Sequence, residues 1–327
     1  MRQWLMLAMA MLACQGCARK SDVVVLKLAH GLNTEHPVHK GMVFMAEKVA
    51  EKSGGKMRID IYPSEQLGSE KECLEALQFG ALAMTKTSSS PMEAFVEEMK
   101  VLGLPYLFRD KEHYWKVLGG PIGKELLAAG KKKGLKGLCF YDAGSRSFYT
   151  VNKPVNSPAD LKGLKIRVQK SPIAMDMVKA LGASPTPIDY GELYTSLQQG
   201  VVDGAENNAP SLYTSRHYEV CKYYCLDEHT MPPDVLLISP AIWKELTAEQ
   251  QKIMQEAVDE SVEFQKQQWA EFEAMSLKEV QIKEDKGVGV QIVRPDKQPF
   301  RDAVKPMLES FAGTKVGDLV RRIQEVQ

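Results

Sequence analysis

Two arginines stand where arginine is costly. Arg167 sits near the end of the apolar run Leu164-Lys165-Ile166-Arg167-Val168, and Arg146 follows Ala143-Gly144-Ser145 at the head of Ser147-Phe148-Tyr149. A guanidinium inside an apolar strand must be paired. Its partner is either an internal Asp or Glu, or an acid brought from outside. Two such residues near strand ends of one unit fit a clamp for an anion, because the planar fork of arginine matches a carboxylate with two parallel hydrogen bonds. Asn207, in Gly204-Ala205-Glu206-Asn207, adds an amide that serves either a ligand or a turn.

Signatures for other chemistry are missing. Gly120-Pro121-Ile122-Gly123-Lys124-Glu125 imitates the end of a phosphate loop, but Glu125 replaces the Ser or Thr that would bind magnesium. No strand is followed by GxGxxG, and neither HExxH nor GxSxG occurs. Among six histidines, His36 and His39 are three apart with no third ligand near them in sequence, so neither a metal nor another cofactor is expected. With 42 basic and 42 acidic side chains the chain has no net charge, which speaks against nucleic acid as a partner. The basic run Lys131-Lys132-Lys133, between Gly130 and Gly134, reads as a solvated helix end.

These residues need elements to hold them. Met1-Arg2 followed by an apolar run from Trp4 to Cys14 and small residues describes a secretory signal over residues 1–21. The run falls short of the ~20 apolar residues a spanning helix requires. Gly16-Cys17 resembles a lipoprotein processing site with Cys14 where Leu is usual; lipid attachment at Cys17 and simple cleavage near Ala18 both fit. Cys73, Cys139, Cys221 and Cys225 read as buried small hydrophobes. The mature part opens with a β-branched strand over 23–29, a helix from Pro37, and an alternating strand over 57–62. A helix over 69–80 starts with Ser69 and Glu72 as a capping box, and a strand over 82–85 follows. Helices alternating with strands argue for a parallel or mixed sheet, whose ligands bind at the carboxyl ends of the strands. The loops at His30, Glu70 and Lys86-Thr87-Ser88 thus form one candidate rim. The pattern restarts with strands over 137–140, 146–150, 164–168 and 185–188 and helices over 172–181 and 191–200. From Thr247 to about Lys286 the chain is charged and apolar-periodic, with a capping box at Thr247 and Gln250. At 1.5 Å per residue such a helix runs about 60 Å, enough to cross two domains.

Gly163 to Val168, Gly182-Ala183-Ser184-Pro185-Thr186-Pro187, and Glu192 to Asn207 together resemble the solute-binding proteins of TRAP transporters. Ser53-Gly54-Gly55-Lys56, Ile61-Tyr62-Pro63, Gln66-Leu67-Gly68 and Leu104-Pro105-Tyr106-Leu107-Phe108 agree, so the likeness covers nearly the whole mature chain. It implies an α/β, two-domain periplasmic-binding-protein (venus-flytrap) fold with a long domain-spanning C-terminal helix. Domain I would comprise 22–145 plus about 233–272, and domain II 146–232 plus about 273–327. It further implies a periplasmic, non-enzymatic protein that hands an organic acid to small and large permease subunits in the membrane. The family's carboxylate-binding arginine falls on Arg167, its second arginine on Arg146 and its asparagine on Asn207. First-domain ligand positions fall on His30, Glu70 and Ser88, and the aromatic beside the ligand on Tyr190; Lys170 lies three residues past Arg167. The stretches from His30 to Lys40, Tyr141 to Arg146 and Ser215 to Glu219 resemble the branch that binds hexuronates such as glucuronate and galacturonate. His30, Glu70, Lys86 and Asn207 would then meet the sugar hydroxyls. The other readings are a dicarboxylate or keto acid in the same role, and a secreted uronate-processing enzyme.

Overall fold

A computed structural model describes residues 23–281 and 287–327; the expected signal, Cys17 and the expected last residues of the long helix lie outside them. The strands run in chain order as β1 (Val24–Ala29), β2 (Met57–Tyr62), β3 (Met84–Ser88), β4 (Lys136–Tyr141), β5 (Arg146–Thr150), β6 (Lys165–Val168), β7 (Ser184–Pro187), β8 (Gly204–Asn207), β9 (Tyr223–Thr230), β10 (Asp234–Ile238) and β11 (Gln291–Val293). They form two sheets, ordered β2-β1-β3-β10-β4 and β11-β9-β5-β8-β6-β7. In the first, β1 is parallel to β2 and β3, and β10 is antiparallel to both β3 and β4. In the second, β6 is parallel to β7 and β8, and β5 is antiparallel to β8 and β9. Helices cover both, giving two α/β lobes as the sequence implies.

Local chemistry explains the boundaries. Ser69 and Glu72 close a reciprocal capping box at the start of the helix Glu70–Gln78. His36 caps the helix Pro37–Lys52, its Nδ1 accepting the Val38 N–H at 3.3 Å, with Pro37 in the first turn. The third strand begins two residues later than the 82–85 reading and continues through Lys86, Thr87 and Ser88, all buried. Register with β10 carries it on, pairing Lys86 with Leu236 and Ser88 with Asp234. The helix expected over 191–200 divides into a short 3-10 turn, Tyr190–Glu192, and the helix Leu193–Gln198.

The chain passes between the lobes after β4, between β9 and β10, and through the long helix Ala248–Val280. That helix has 33 residues, about 50 Å. Met254, Ala257 and Val258 pack into the core of the first sheet, and Val280 into that of the second. Its middle grips the first crossing. Gln265 accepts the Asp142 N–H and donates to the Asp142 carbonyl, both at 2.8 Å. Gly144 follows at φ +58, and a Cβ there would meet Glu273 Oε1 at 2.5 Å and Trp269 Cζ2 at 2.9 Å, so only glycine fits this crossing. One expectation changes. The last helix, Lys315–Gln324, buries Val316, Leu319 and Ile323 in the core of the first lobe, so residues 273–327 do not all join the second. The apolar stripe of that helix reads equally well against either lobe, which is why sequence pattern alone misplaces it.

Candidate functional site

The strand ends converge on the seam between the lobes. β1 ends at Ala29 before His30, β3 ends at Ser88, and β10 starts at Asp234. From the other lobe, β5 starts at Arg146, β6 ends at Val168 before Gln169, and β8 ends at Asn207. The seam holds, among others, two adjoining cavities of about 40 and 10 Å3. The larger is lined by His36, Glu70, Lys86, Ser88, Arg146 and Asn207, among others. The smaller is lined by Arg167 and Lys170, and the two share Glu70, Gln169 and Tyr190. The lobes are closed on each other here. Asn33 Nδ2 donates to the Thr214 carbonyl at 2.7 Å, Gly191 N–H donates to Glu65 at 3.2 Å, and Ser88 Oγ donates to Gln169 Oε1 at 3.3 Å. Two larger hollows, about 330 Å3 behind the crossings and about 440 Å3 beside the long helix, are lined by no buried arginine.

The two arginines differ sharply. Arg167 is 2% exposed, and its Nε donates to the Ile188 carbonyl at 2.9 Å. Its Nη1 is buried without a partner, and among the described residues it makes no ion pair. Burial draws its pKa down from the usual value, as expected of a cation without a counter-ion. The face of Tyr190 lies 5.8 Å from the guanidinium carbon.

Arg146, by contrast, is not the free second arm of a clamp. It pairs with Glu206 through Nε and, at 2.8 Å, through Nη2. Nη2 also reaches the Glu206 carbonyl at 2.6 Å, and Nη1 reaches Asn207 Oδ1 at 2.9 Å. Four of its five N–H donors are spent inside the protein. His229 closes the far side of Glu206, Nε2 to Oε2 at 3.5 Å, and is itself held by Asp227 at 2.7 Å. Burial alone would raise the Glu206 carboxyl; Arg146 and His229 overcome it and hold it at about 2. Burial alone would likewise lower His229, but Asp227 and Glu206 hold it up at about 9. Arg146 is thus paired internally while lining the larger cavity, and Arg167 makes no ion pair among the described residues.

Asn207 lines the larger cavity with Oδ1 occupied by Arg146 and by the Asn208 N–H at 2.9 Å. That orientation leaves its NH2 group for a ligand. Tyr190 lines both cavities and hydrogen-bonds Ser215 at 2.7 Å. Lys170 reaches the smaller cavity but is half-exposed and paired with Asp189 at 2.6 Å. Lys86 is buried between Asp234 at 3.2 Å and Glu70 at 3.7 Å. His30 sits behind the wall of the cleft. Its Nδ1 accepts the Leu32 N–H at 3.1 Å and its Nε2 meets His39 at 3.0 Å, so both nitrogens are used and it lines neither cavity. His36 stands there instead, facing Ser211 Oγ at 3.4 Å. Sequence reasoning also missed Asp234, Gln169 and Glu206. An acid in an apolar strand was the available signal for Glu206, the same anomaly that marked the arginines.

His217 is buried behind Arg167, its Nδ1 2.9 Å from Tyr149 OH. Burial first, and then the charge of Arg167, lower its pKa to about 3. A histidine depressed in the fold gives stability that is present above the unfolded value of about 6.5 and lost as pH falls toward about 3. His217→Gln should therefore lose less stability than the wild type between pH 6.5 and 4. Denaturant titrations at both pH values check this, and equal losses would contradict it.

The sequence profile of the bacterial extracellular solute-binding proteins, family 7, matches residues 28–314. Among solved structures, a TRAP periplasmic solute-binding protein from a Bradyrhizobium species in complex with galacturonate is 46% identical, with TM-score 0.87 over 92% of this chain and 99% of that one. Another, from Anaerococcus prevotii with bound glucuronate, is 38% identical, with TM-score 0.88 over 93% and 98%. The C4-dicarboxylate-binding periplasmic protein of Rhodobacter capsulatus is 34% identical over 245 residues, 75% of this chain and 73% of that protein.

Proposed function

We propose, on the premise that the chain belongs to the bacterial extracellular solute-binding proteins of family 7, the solute-binding proteins of TRAP transporters, that it captures a hexuronate such as galacturonate or glucuronate. The observation that carries the reading is Arg167: a buried guanidinium in an interlobe cleft that makes no ion pair among the described residues. A ligand carboxylate supplies the missing charge through the fork. Arg146, held by Glu206, also fixes Asn207 Oδ1 so that the NH2 group meets the ligand. Glu70, Ser88 and His36 approach from the first lobe, and Tyr190 packs beside the ring. His30 holds Leu32 and His39 from behind, and Lys170 remains at the cleft's margin. Solved relatives with bound galacturonate and glucuronate support the ligand class.

In this reading the lobes divide at 145/146 and 232/233 and swing about the two crossings and the long helix. Only the closed state touches both sides of the ligand, so binding shifts the population toward closure. Members of the family are solute-binding transport proteins. This chain would release its ligand unaltered to the small and large permease subunits, from a periplasmic location and with no catalytic turnover. A thermal-shift screen of residues 22–327 against hexuronates, dicarboxylates, keto acids and a neutral hexose tests it. A hundredfold excess over Kd stabilises the folded state by about 2.7 kcal/mol, and that shift is expected with galacturonate or glucuronate. No shift with any acid, after unfolding and refolding to remove bound ligand, would sink the reading; so would chemical conversion of the uronate.

A further inference from the structure

At the end of the cleft away from Arg167, where Arg146 is already paired with Glu206, two acids share one buried lysine. Arg167 lines only the smaller cavity and Asp234 only the larger, with Glu70 between them in both. Lys86, 2% exposed, is the shared counter-ion of Asp234 and Glu70. Glu70 Oε1 also takes the Ser88 N–H at 2.9 Å. Glu70 Oε2 and Asp234 Oδ1 then have no partner among the described residues, in side chains that line the cleft. The arrangement is fixed by the sheet, since Asp234 opens β10 opposite Ser88 on β3 and Tyr141 on β4. On the first lobe the Ser88 hydroxyl is spent on Gln169 and Lys86 is committed to the two acids, which leaves their free oxygens to the ligand.

We propose that Glu70 and Asp234 act as a sign filter, accepting hydrogen bonds from ligand hydroxyls and repelling a second carboxylate, so that the cleft takes monocarboxylate polyols and rejects dicarboxylates. This rests on the acid-capture reading above. An ionised carboxylate is an acceptor only. A sugar hydroxyl opposite it donates, whereas a second ligand carboxylate meets like charge in a water-poor site, which is strongly unfavourable. Arg167 orients the ligand by taking its acid end, and the filter decides what the other end is allowed to be. Discrimination between uronates and C4-dicarboxylates within one fold then needs no change at the arginine.

The test is isothermal titration with galacturonate, succinate and galactarate, the last keeping the hydroxylated six-carbon chain while adding a second carboxylate. The wild type should bind galactarate and succinate at least about 100-fold more weakly than galacturonate. Asp234→Asn and Glu70→Gln, which keep shape and remove charge, should each narrow the galactarate-to-galacturonate ratio by about tenfold. Using the ratio removes any general loss of affinity, and melting curves check that each variant folds. An unchanged ratio in folded variants overturns the filter. Tight wild-type binding of succinate or galactarate also overturns it, leaving acid capture standing, and this arm holds even where a variant does not fold. Binding of none of the acids brings down both readings.

Discussion

Arg167→Met abolishes capture of the acid while leaving the unliganded protein as stable as before, or more so. The two effects have one cause. Without ligand Arg167 is a buried cation that makes no ion pair among the described residues, although Glu65 lines the same cavity with an unpartnered Oε1, and burial draws its pKa down. Isolated buried charge is costly, and replacing it with an apolar side chain of similar length removes that cost. Binding is another matter. Removing one partner of a buried, hydrogen-bonded charge pair costs roughly 3–5 kcal/mol, about a hundredfold to several thousandfold in Kd. Arg167→Lys keeps the charge but loses the planar fork, so it should also weaken binding by at least about tenfold. Melting curves with and without galacturonate separate the two effects. If Arg167→Met melted well below the wild type, the residue would be structural, and a Lys variant of undiminished affinity would refute the bidentate contact.

Glu206→Gln has the largest effect on the fold itself. Glu206 sits between two cations, Arg146 and His229, at 2% exposure. Neutralising it leaves both with too little counter-charge, a break of the kind that costs about 3 kcal/mol or more. For a chain of this size, at about 2.1 cal/mol/K per residue, that lowers the thermal midpoint by roughly 4–5 °C. The sign of the pH dependence follows from the two groups. Glu206, held at about 2, contributes stability that is present above its unfolded value of about 4.5 and lost as pH falls toward 2. His229, held at about 9, contributes stability that is complete below about 6.5 and lost as pH rises through 9. The gap between wild type and variant should therefore be widest between about pH 4.5 and 6.5 and shrink on both sides. A gap that is independent of pH would mean that packing, not charge, explains the loss.

How far the sequence reached depends on which interactions were local. β2 and β5 fall where alternation and apolar runs place them, and the capping boxes at Ser69 and Thr247 start their helices as read. These signals lie within a few residues of the element they specify. The internal partner of Arg146 was not legible because it is 60 residues away and is brought to it only by the antiparallel register of β5 and β8, which sets Phe148 opposite Glu206 and Ser147 opposite Asn207. His30 and His36 share one loop and cannot be told apart by type. What separates them is that His30 Nδ1 takes a backbone N–H and Nε2 takes His39, facts of rotamer and packing. Asp234 follows two prolines at the second passage between lobes, and only its strand pairing shows that it stands beside Lys86. The anomaly at Arg167 was legible for the opposite reason: an arginine in an apolar strand stands out wherever its partner comes from, and among the described residues it makes no ion pair.

The most direct measurement is a crystal structure of the protein grown with galacturonate. The account predicts the ligand carboxylate on Arg167 through two parallel hydrogen bonds, the Asn207 NH2 group on the ligand, and hydroxyls facing Glu70 and Asp234. A carboxylate bound elsewhere in the cleft, or Arg167 paired with a protein acid while the ligand sits apart from it, would contradict the account.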